Sequence, residues 1–128
     1  MRYLHDTHAF IWLNGTPSKL SERAAALCSD PSNVLLLSLA SIWEMQIKLG
    51  LGKLKLPASL AEIVAVQQNT NGIQLLPIDL PHILELAVLS HQHRDPFDRL
   101  LIAQARVEGL QIISNDQQIL KYSIPVIW

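Results

Sequence analysis

The run VLLLS (34–38) leads straight into LASIWEMQIKLG (39–50), a stretch patterned as a helix. A short apolar run without period-two alternation reads as a strand buried on both faces, and such strands belong to parallel sheets covered by helices. The same pairing recurs along the chain. MRYLH (1–5), IQLLPI (73–78), LQIIS (110–114) and IPVIW (124–128) read as further strands. Between them lie helices at THAFIWLNG (7–15), closed by Gly15, and LSERAAALCS (20–29), capped by Ser21. The 39–50 helix is expected to stop near Gly50 or Gly52. ASLAEIVAVQQNTN (58–71) follows Pro57 as a helix, and LPHILELAVLS (80–90) is one with Asp79 as cap and Pro81 in its first turn. The last long helix runs from Pro96 to Glu108 and ends at Gly109. Strands alternating with helices predict an α/β sandwich with a mostly parallel sheet.

At 128 residues, with 49% hydrophobic and 16% charged residues, the chain is expected to form a single domain, residues 1–128, and not a disordered one. No apolar run reaches the roughly 18 residues of a membrane helix, and the start MRYLHDTHAF does not read as a secretory signal. Cys28 is the single cysteine, which excludes an internal disulfide and fits a reducing, cytoplasmic setting. A net charge of −1 excludes gripping nucleic acid by bulk charge. Any contact with RNA or DNA must be local.

Ligand sites in parallel sheets form outside the carboxyl ends of the strands. Asp6 follows the first strand directly, Asp116 lies two residues past LQIIS, and Glu44 sits early in the helix leaving VLLLS. Element order therefore puts these three at one edge. Asp98 is harder to place: its helix precedes its strand, so its N-terminus is expected at the opposite edge unless the preceding loop crosses back.

Each acid also has an ordinary explanation. Asp6 can cap the helix starting at Thr7. SIWE (41–44) matches a capping box, with Ser41 as cap and Glu44 reaching back. In DPFD (95–98), Asp95 suits the N-cap, Pro96 the first helical position and Asp98 the third. Asp116 in SNDQQIL suits a turn. Taken together the four say more. Two carboxylates about 4 Å apart repel by roughly 4 kcal/mol at an effective dielectric near 20, so such a group holds protons or binds cations. Oxygen donors without cysteine suit Mg²⁺ or Mn²⁺ better than zinc.

Four blocks now carry a resemblance: DTHAFIWL (6–13), SLASIWEMQIKLGLGKLKLP (38–57), HRDPFDRLLIAQARVEGLQIISND (93–116) and YSIPVIW (122–128). The chain resembles the PIN-domain ribonucleases, in particular the VapC-type toxins of toxin–antitoxin pairs, over nearly its whole length. The resemblance implies a PIN-like three-layer sandwich, with Asp6, Glu44, Asp98 and Asp116 as catalytic, metal-holding acids and the start of the Asp98 helix beside the strand ends. It implies one or two Mg²⁺ ions, hydrolysis of RNA to a 5′-phosphate and a 3′-hydroxyl, a cognate antitoxin and a homodimer. His5 departs from the family's usual apolar residue. Strand alternation turns it away from Asp6, as a partly buried, hydrogen-bonded histidine.

Around the quartet, Thr7 can orient a carboxylate, Asn115 can bond one, and Asp95 is a cap or a supporting group. Arg94 and Arg99 can contact phosphate or pair with nearby acids. Lys48, Lys53 and Lys55 form the densest basic stretch and are candidates for tracking an RNA backbone. Trp12, Trp43 and Trp128 suit core or interface packing, and FIWL and RAAALC carry apolar surface that a partner would cover. Two other readings stay open. HDTH faintly resembles the aspartate nucleophile of haloacid-dehalogenase-type phosphatases, which would make Asp6 the attacking group, although His8 stands where those enzymes want a second acid. A catalytically inert binding module with the same fold is the other.

Overall fold

The computed structural model describes residues 1–90 and 95–128. Arg94 lies outside the described residues. Five strands, β1 (Arg2–His5), β2 (Val34–Ser38), β3 (Gln74–Leu76), β4 (Gln111–Ile113) and β5 (Val126–Ile127), form one sheet in the order β3-β2-β1-β4-β5. Every pairing is parallel, and Leu4 of β1 sits between Leu36 and Ile112.

Side-chain alternation separates two cores. Leu4, Leu36 and Ile112 face α6 (Pro96–Glu108), packing with Leu101, Ile102 and Ala105. Tyr3, Leu35, Leu37 and Ile113 face the other way, onto Ala9 and Phe10 of α1 (Thr7–Gly15), Ala24 of α2 (Glu22–Ser29), Met45 of α3 (Leu39–Gly50) and Ile63 of α4 (Leu60–Thr70). The result is the expected three-layer α/β sandwich, its sheet apolar on both faces. α5 (Leu80–Glu85) lies on the α6 side, and α7 (Gln117–Leu120) follows β4.

Several boundaries differ from the expectation. α5 was expected over 80–90 but ends at Glu85. The Arg99 guanidinium takes the carbonyls of Leu86 at 3.2 Å and Ser90 at 2.7 Å, and so replaces helical hydrogen bonds there. α4 starts at Leu60, not 58, because Ser59 supplies the cap, accepting from the Glu62 amide at 3.2 Å. β3 stops before Pro77, which has no N–H for the ladder. Gly15 lies inside α1, and the cap is Thr16. A 3-10 turn at Pro17–Lys19 and α7 are additional and too short for a periodic pattern.

The difficulty over Asp98 disappears with the topology. A helix joining parallel strands runs antiparallel to them. α6 ends at Gly109, in the left-handed region at φ 66, and feeds β4 at the sheet's amino edge. Its thirteen residues rise about 20 Å, so its N-terminus returns to the carboxyl edge. No crossing loop is required.

Candidate active site

The carboxyl edge collects side chains from β1, α3, α6 and β4. Asp6 ends β1, caps α1 by accepting from the Ala9 amide at 2.6 Å, and is 4% exposed. Its second oxygen accepts from Ser114 Oγ at 2.5 Å, and Ser114 accepts in turn from the Asp116 amide at 3.0 Å. Asp116 caps α7 through Gln118, so it is a cap and not an ordinary turn residue. Asp6, His8, Trp12, Asn115 and Asp116 line one open cleft of about 250 Å³.

Glu44 enters from α3, also buried. Thr7 donates to Glu44 Oε1 at 2.7 Å and lies 3.1 Å from Ser41 Oγ, which ties Glu44 to the residue after Asp6. The expected capping box is absent. α3 begins three residues earlier than SIWE requires, with Ser38 as its cap, so Ser41 and Glu44 point inward from the helix interior. Lys48 Nζ pairs with Glu44 Oε2 at 2.9 Å.

At the start of α6, Asp95 accepts from the amides of Phe97 at 2.9 Å and Asp98 at 3.3 Å, as a cap should. Phe97 meets Trp43 of α3 edge-on at 5.2 Å, which fixes the α6 start against the Glu44 helix. Hydrogen bonding to Glu44 holds the Lys48 ammonium above its usual range, and the charges of Glu44, Asp95 and Asp98 add to this. All four predicted acids therefore share one edge. Of the four, Asp6 and Asp116 line the open cleft, and among the described residues no three of the quartet bring carboxylate oxygens within 4.8 Å of one another.

Burial pushes the Asp6 carboxyl above the ordinary carboxylate range. Hydrogen bonds from Ser114 and the Ala9 amide and the nearby His8 oppose this, and Asp116 reinforces it. A buried acid facing a second acid fits a bound cation, because a cation relieves both effects. With oxygen donors throughout, the cation would be a hard divalent ion held by Asp6, Asp116, Glu44 and Asp98.

Other expected residues divide. Thr7 contacts Glu44 as foreseen. Asn115 lines the cleft, but among the described residues its side chain makes no hydrogen bond; Ser114 makes the expected carboxylate contact. The sequence offered little sign of Ser114, a lone serine closing an apolar strand. The Arg99 guanidinium binds the carbonyls of Leu86 and Ser90 and lies 3.3 Å from the Tyr122 hydroxyl. Lys53 and Lys55 are exposed beyond α3, whereas Lys48 is turned onto Glu44. His5 is wholly buried, not partly, and desolvation lowers it to about 4. The Leu36 carbonyl can only accept, so Nδ1 donates to it at 3.4 Å; Nε2 then faces the Cys28 thiol at 3.4 Å. Burial pushes that thiol up to about 11, leaving it an inert packing group.

A second cluster, Asp79, His82 and Glu108, brings ligand-type atoms within 4.8 Å of one another. The Asp79 amide donates to His82 Nδ1 at 3.0 Å, which leaves the ring proton on Nε2 for Glu108 Oε1 at 2.9 Å. An ion on Nε2 would need a proton on Nδ1, facing the Asp79 N–H. The cluster is therefore a staple between α5 and α6.

The apolar surface left uncovered is not chiefly on the first helices. It lies on α3, with Trp43 58% exposed, and on α5, with Leu80, Ile83 and Leu84 all more than half exposed. Trp12 stacks edge-on against Trp128 at 5.6 Å.

Comparison with known proteins adds the family. A sequence comparison with curated proteins finds no match. Among solved structures, VapBC2 from Rickettsia felis bound to a DNA fragment from its promoter superimposes with a TM-score of 0.73 at 12% identity, covering 99% of this chain and 98% of that one. DNA-bound VapBC from Salmonella typhimurium gives 0.68 at 16% identity, covering 99% and 97%. A toxin–antitoxin complex from Klebsiella pneumoniae gives 0.61 at 17% identity, covering 98% and 96%. These likenesses are of fold. The family model described as PIN domain matches residues 3–125, nearly all of the sequence, and with its parallel sheet and acid-lined edge the chain belongs to the PIN domain family.

Proposed function

We propose that this chain is a divalent-metal-dependent endoribonuclease, a single domain spanning residues 1–128, and that it acts in the cytoplasm as the toxin of a toxin–antitoxin pair. One observation carries the reading. Asp6, buried and held above its ordinary range, shares a cleft with Asp116 at the edge where Glu44 and Asp98 also arrive. Asp6, Glu44, Asp98 and Asp116 hold Mg²⁺, or Mn²⁺ in its place. When bound, the ion supplies an activated water and a countercharge for the phosphodiester. The chain's own residues do the remaining work. Thr7 and Ser114 orient Glu44 and Asp6, Asp95 fixes the start of α6, and the exposed Lys53 and Lys55 track the RNA backbone.

The neighbours in fold are VapBC and toxin–antitoxin assemblies, which supports a cognate antitoxin as partner here. The uncovered apolar residues of α3 and α5 suit a protein that is seldom alone, either as a homodimer or with that antitoxin. No described helix is long and apolar enough to cross a membrane.

The phosphatase reading loses support at Asp6. One oxygen caps α1 and the other accepts from Ser114, and His8 stands two residues on. The test is cleavage of RNA by the purified chain with Mg²⁺ or Mn²⁺, arrest by chelator, and mapping of the ends as 5′-phosphate and 3′-hydroxyl. Cutting that survives chelation, or a trapped aspartyl-phosphate, overturns the reading. An inert protein whose Asp98→Asn variant binds RNA and partner identically would favour the binding-module alternative.

A further inference from the structure

Glu44 has a lysine directly on it. The pair is an i,i+4 contact in the favourable Glu-to-Lys order, at 2.9 Å, with a glutamate side chain only 5% exposed and a lysine side chain 38% exposed. The second oxygen of Glu44 is fixed separately, by Thr7 at 2.7 Å. The ammonium is not a solvated helix end. It stands where α3 faces the start of α6, within the electrostatic reach of Asp95 and Asp98. One positive charge on a flexible four-carbon stem thus pairs with the acid of α3 and feels the acids at the start of α6.

We propose that Lys48 is the internal countercharge of the acidic cleft, a positioning residue that neutralises and holds Glu44 in the ion-free protein and competes with the divalent ion for it. This rests on the quartet being a metal site, and it gives Lys48 a role other than tracking RNA. The physical reason is charge balance. A buried glutamate facing other acids is costly without a cation. An ammonium supplies that cation and can swing out to water when a divalent ion arrives. Lys48 therefore keeps the empty cleft in shape and weakens ion binding.

The sign of the effect separates this from a merely structural role. A residue that only supported Glu44 would lower ion affinity when removed. A competing cation raises it. A divalent ion and an ammonium about 6 Å apart repel enough, even at the dielectric of water, to change affinity on the order of tenfold.

The experiment is calorimetric titration of Mn²⁺ alone, without RNA, into wild type, Lys48→Met and Lys48→Arg, with melting temperatures recorded with and without Mn²⁺. Methionine keeps most of the stem and removes the charge; arginine keeps the charge. Lys48→Met is expected to bind Mn²⁺ about tenfold more tightly. It should also melt lower when ion-free and show a larger Mn²⁺-induced rise than wild type, while Lys48→Arg stays close to wild type. Unchanged or weaker Mn²⁺ binding by a Lys48→Met protein with wild-type circular dichroism overturns the proposal and leaves the nuclease reading standing. Failure of wild type itself to bind Mn²⁺ or Mg²⁺ overturns both.

Discussion

Ser114 donates its hydroxyl proton to Asp6 across 108 residues of sequence, and the same hydroxyl oxygen accepts the amide of Asp116. One serine thus sets the spacing of two acids that sit at the ends of neighbouring strands. Its hydrogen bond is also the strongest influence lowering the Asp6 carboxyl against burial. Ser114→Ala removes that influence, so Asp6 is expected to hold its proton more firmly and bind a divalent ion less well. Groups that orient metal ligands typically change affinity by about 10- to 100-fold. Mn²⁺ titration of Ser114→Ala, compared with Ser114→Thr as the conservative variant, measures this. Equal affinities would remove Ser114 from the cleft's design.

The quartet itself makes a stricter demand. Asp6→Asn, Glu44→Gln, Asp98→Asn and Asp116→Asn are each expected to abolish Mg²⁺-dependent RNA cleavage while circular dichroism stays native. In the ion-free protein Asp6→Asn should cost little stability, because it removes a buried carboxylate that folding disfavours. Retained cutting in Asp6→Asn, Glu44→Gln and Asp98→Asn would exclude the site.

His5 predicts a pH dependence of folding unconnected with catalysis. Its folded value is about 4, against 6.5 for an exposed imidazole. Between those values the unfolded chain binds the proton and the folded one does not, so stability is fully present above pH 6.5 and is lost as pH falls toward 4. The loss amounts to about 3 kcal/mol at one pKa unit per 1.36 kcal/mol. Asp6, held above the carboxylate range, acts in the opposite direction in acid, so the comparison must isolate His5. Urea unfolding of wild type and His5→Asn from pH 4 to 7 does so: the difference between them should shrink as pH falls. A constant difference would contradict the assignment of His5 as a neutral donor to Leu36.

The α5–α6 staple predicts a stability effect without an ion effect. His82 is wholly buried and holds both the Asp79 amide and Glu108. His82→Ala leaves a cavity and unpaired polar groups, costing about 2–4 kcal/mol. Mn²⁺ affinity should be unchanged. A fall in affinity would make this cluster, and not the carboxyl edge, the ion site.

Legibility in the sequence followed the length of the pattern. The five strands and the long helices were readable because burial on two sheet faces leaves continuous apolar runs, as in VLLLS, and because Ser21, Asp79 and Asp95 are capping types in capping places. Asp98 is the exception: sequence adjacency to β4 suggests the opposite edge, but a crossover helix runs back along the sheet and returns its start to the carboxyl edge. SIWE (41–44) matches a capping box locally, and only the point where β2 ends selects Ser38 as the cap. Ser114 and the Arg99 carbonyl contacts are tertiary facts with no local signature. The early end of α5 follows from those same Arg99 contacts.

The strand order has a bearing on truncation. β1 sits in the middle of the sheet, and β4, which brings Ser114 and Asp116, is its immediate neighbour on one side. A polypeptide cut short before that neighbour leaves Asp6 without the serine that holds it and the acid that faces it. Distant stretches of sequence thus depend on one another, and neither assembles the acid pair alone.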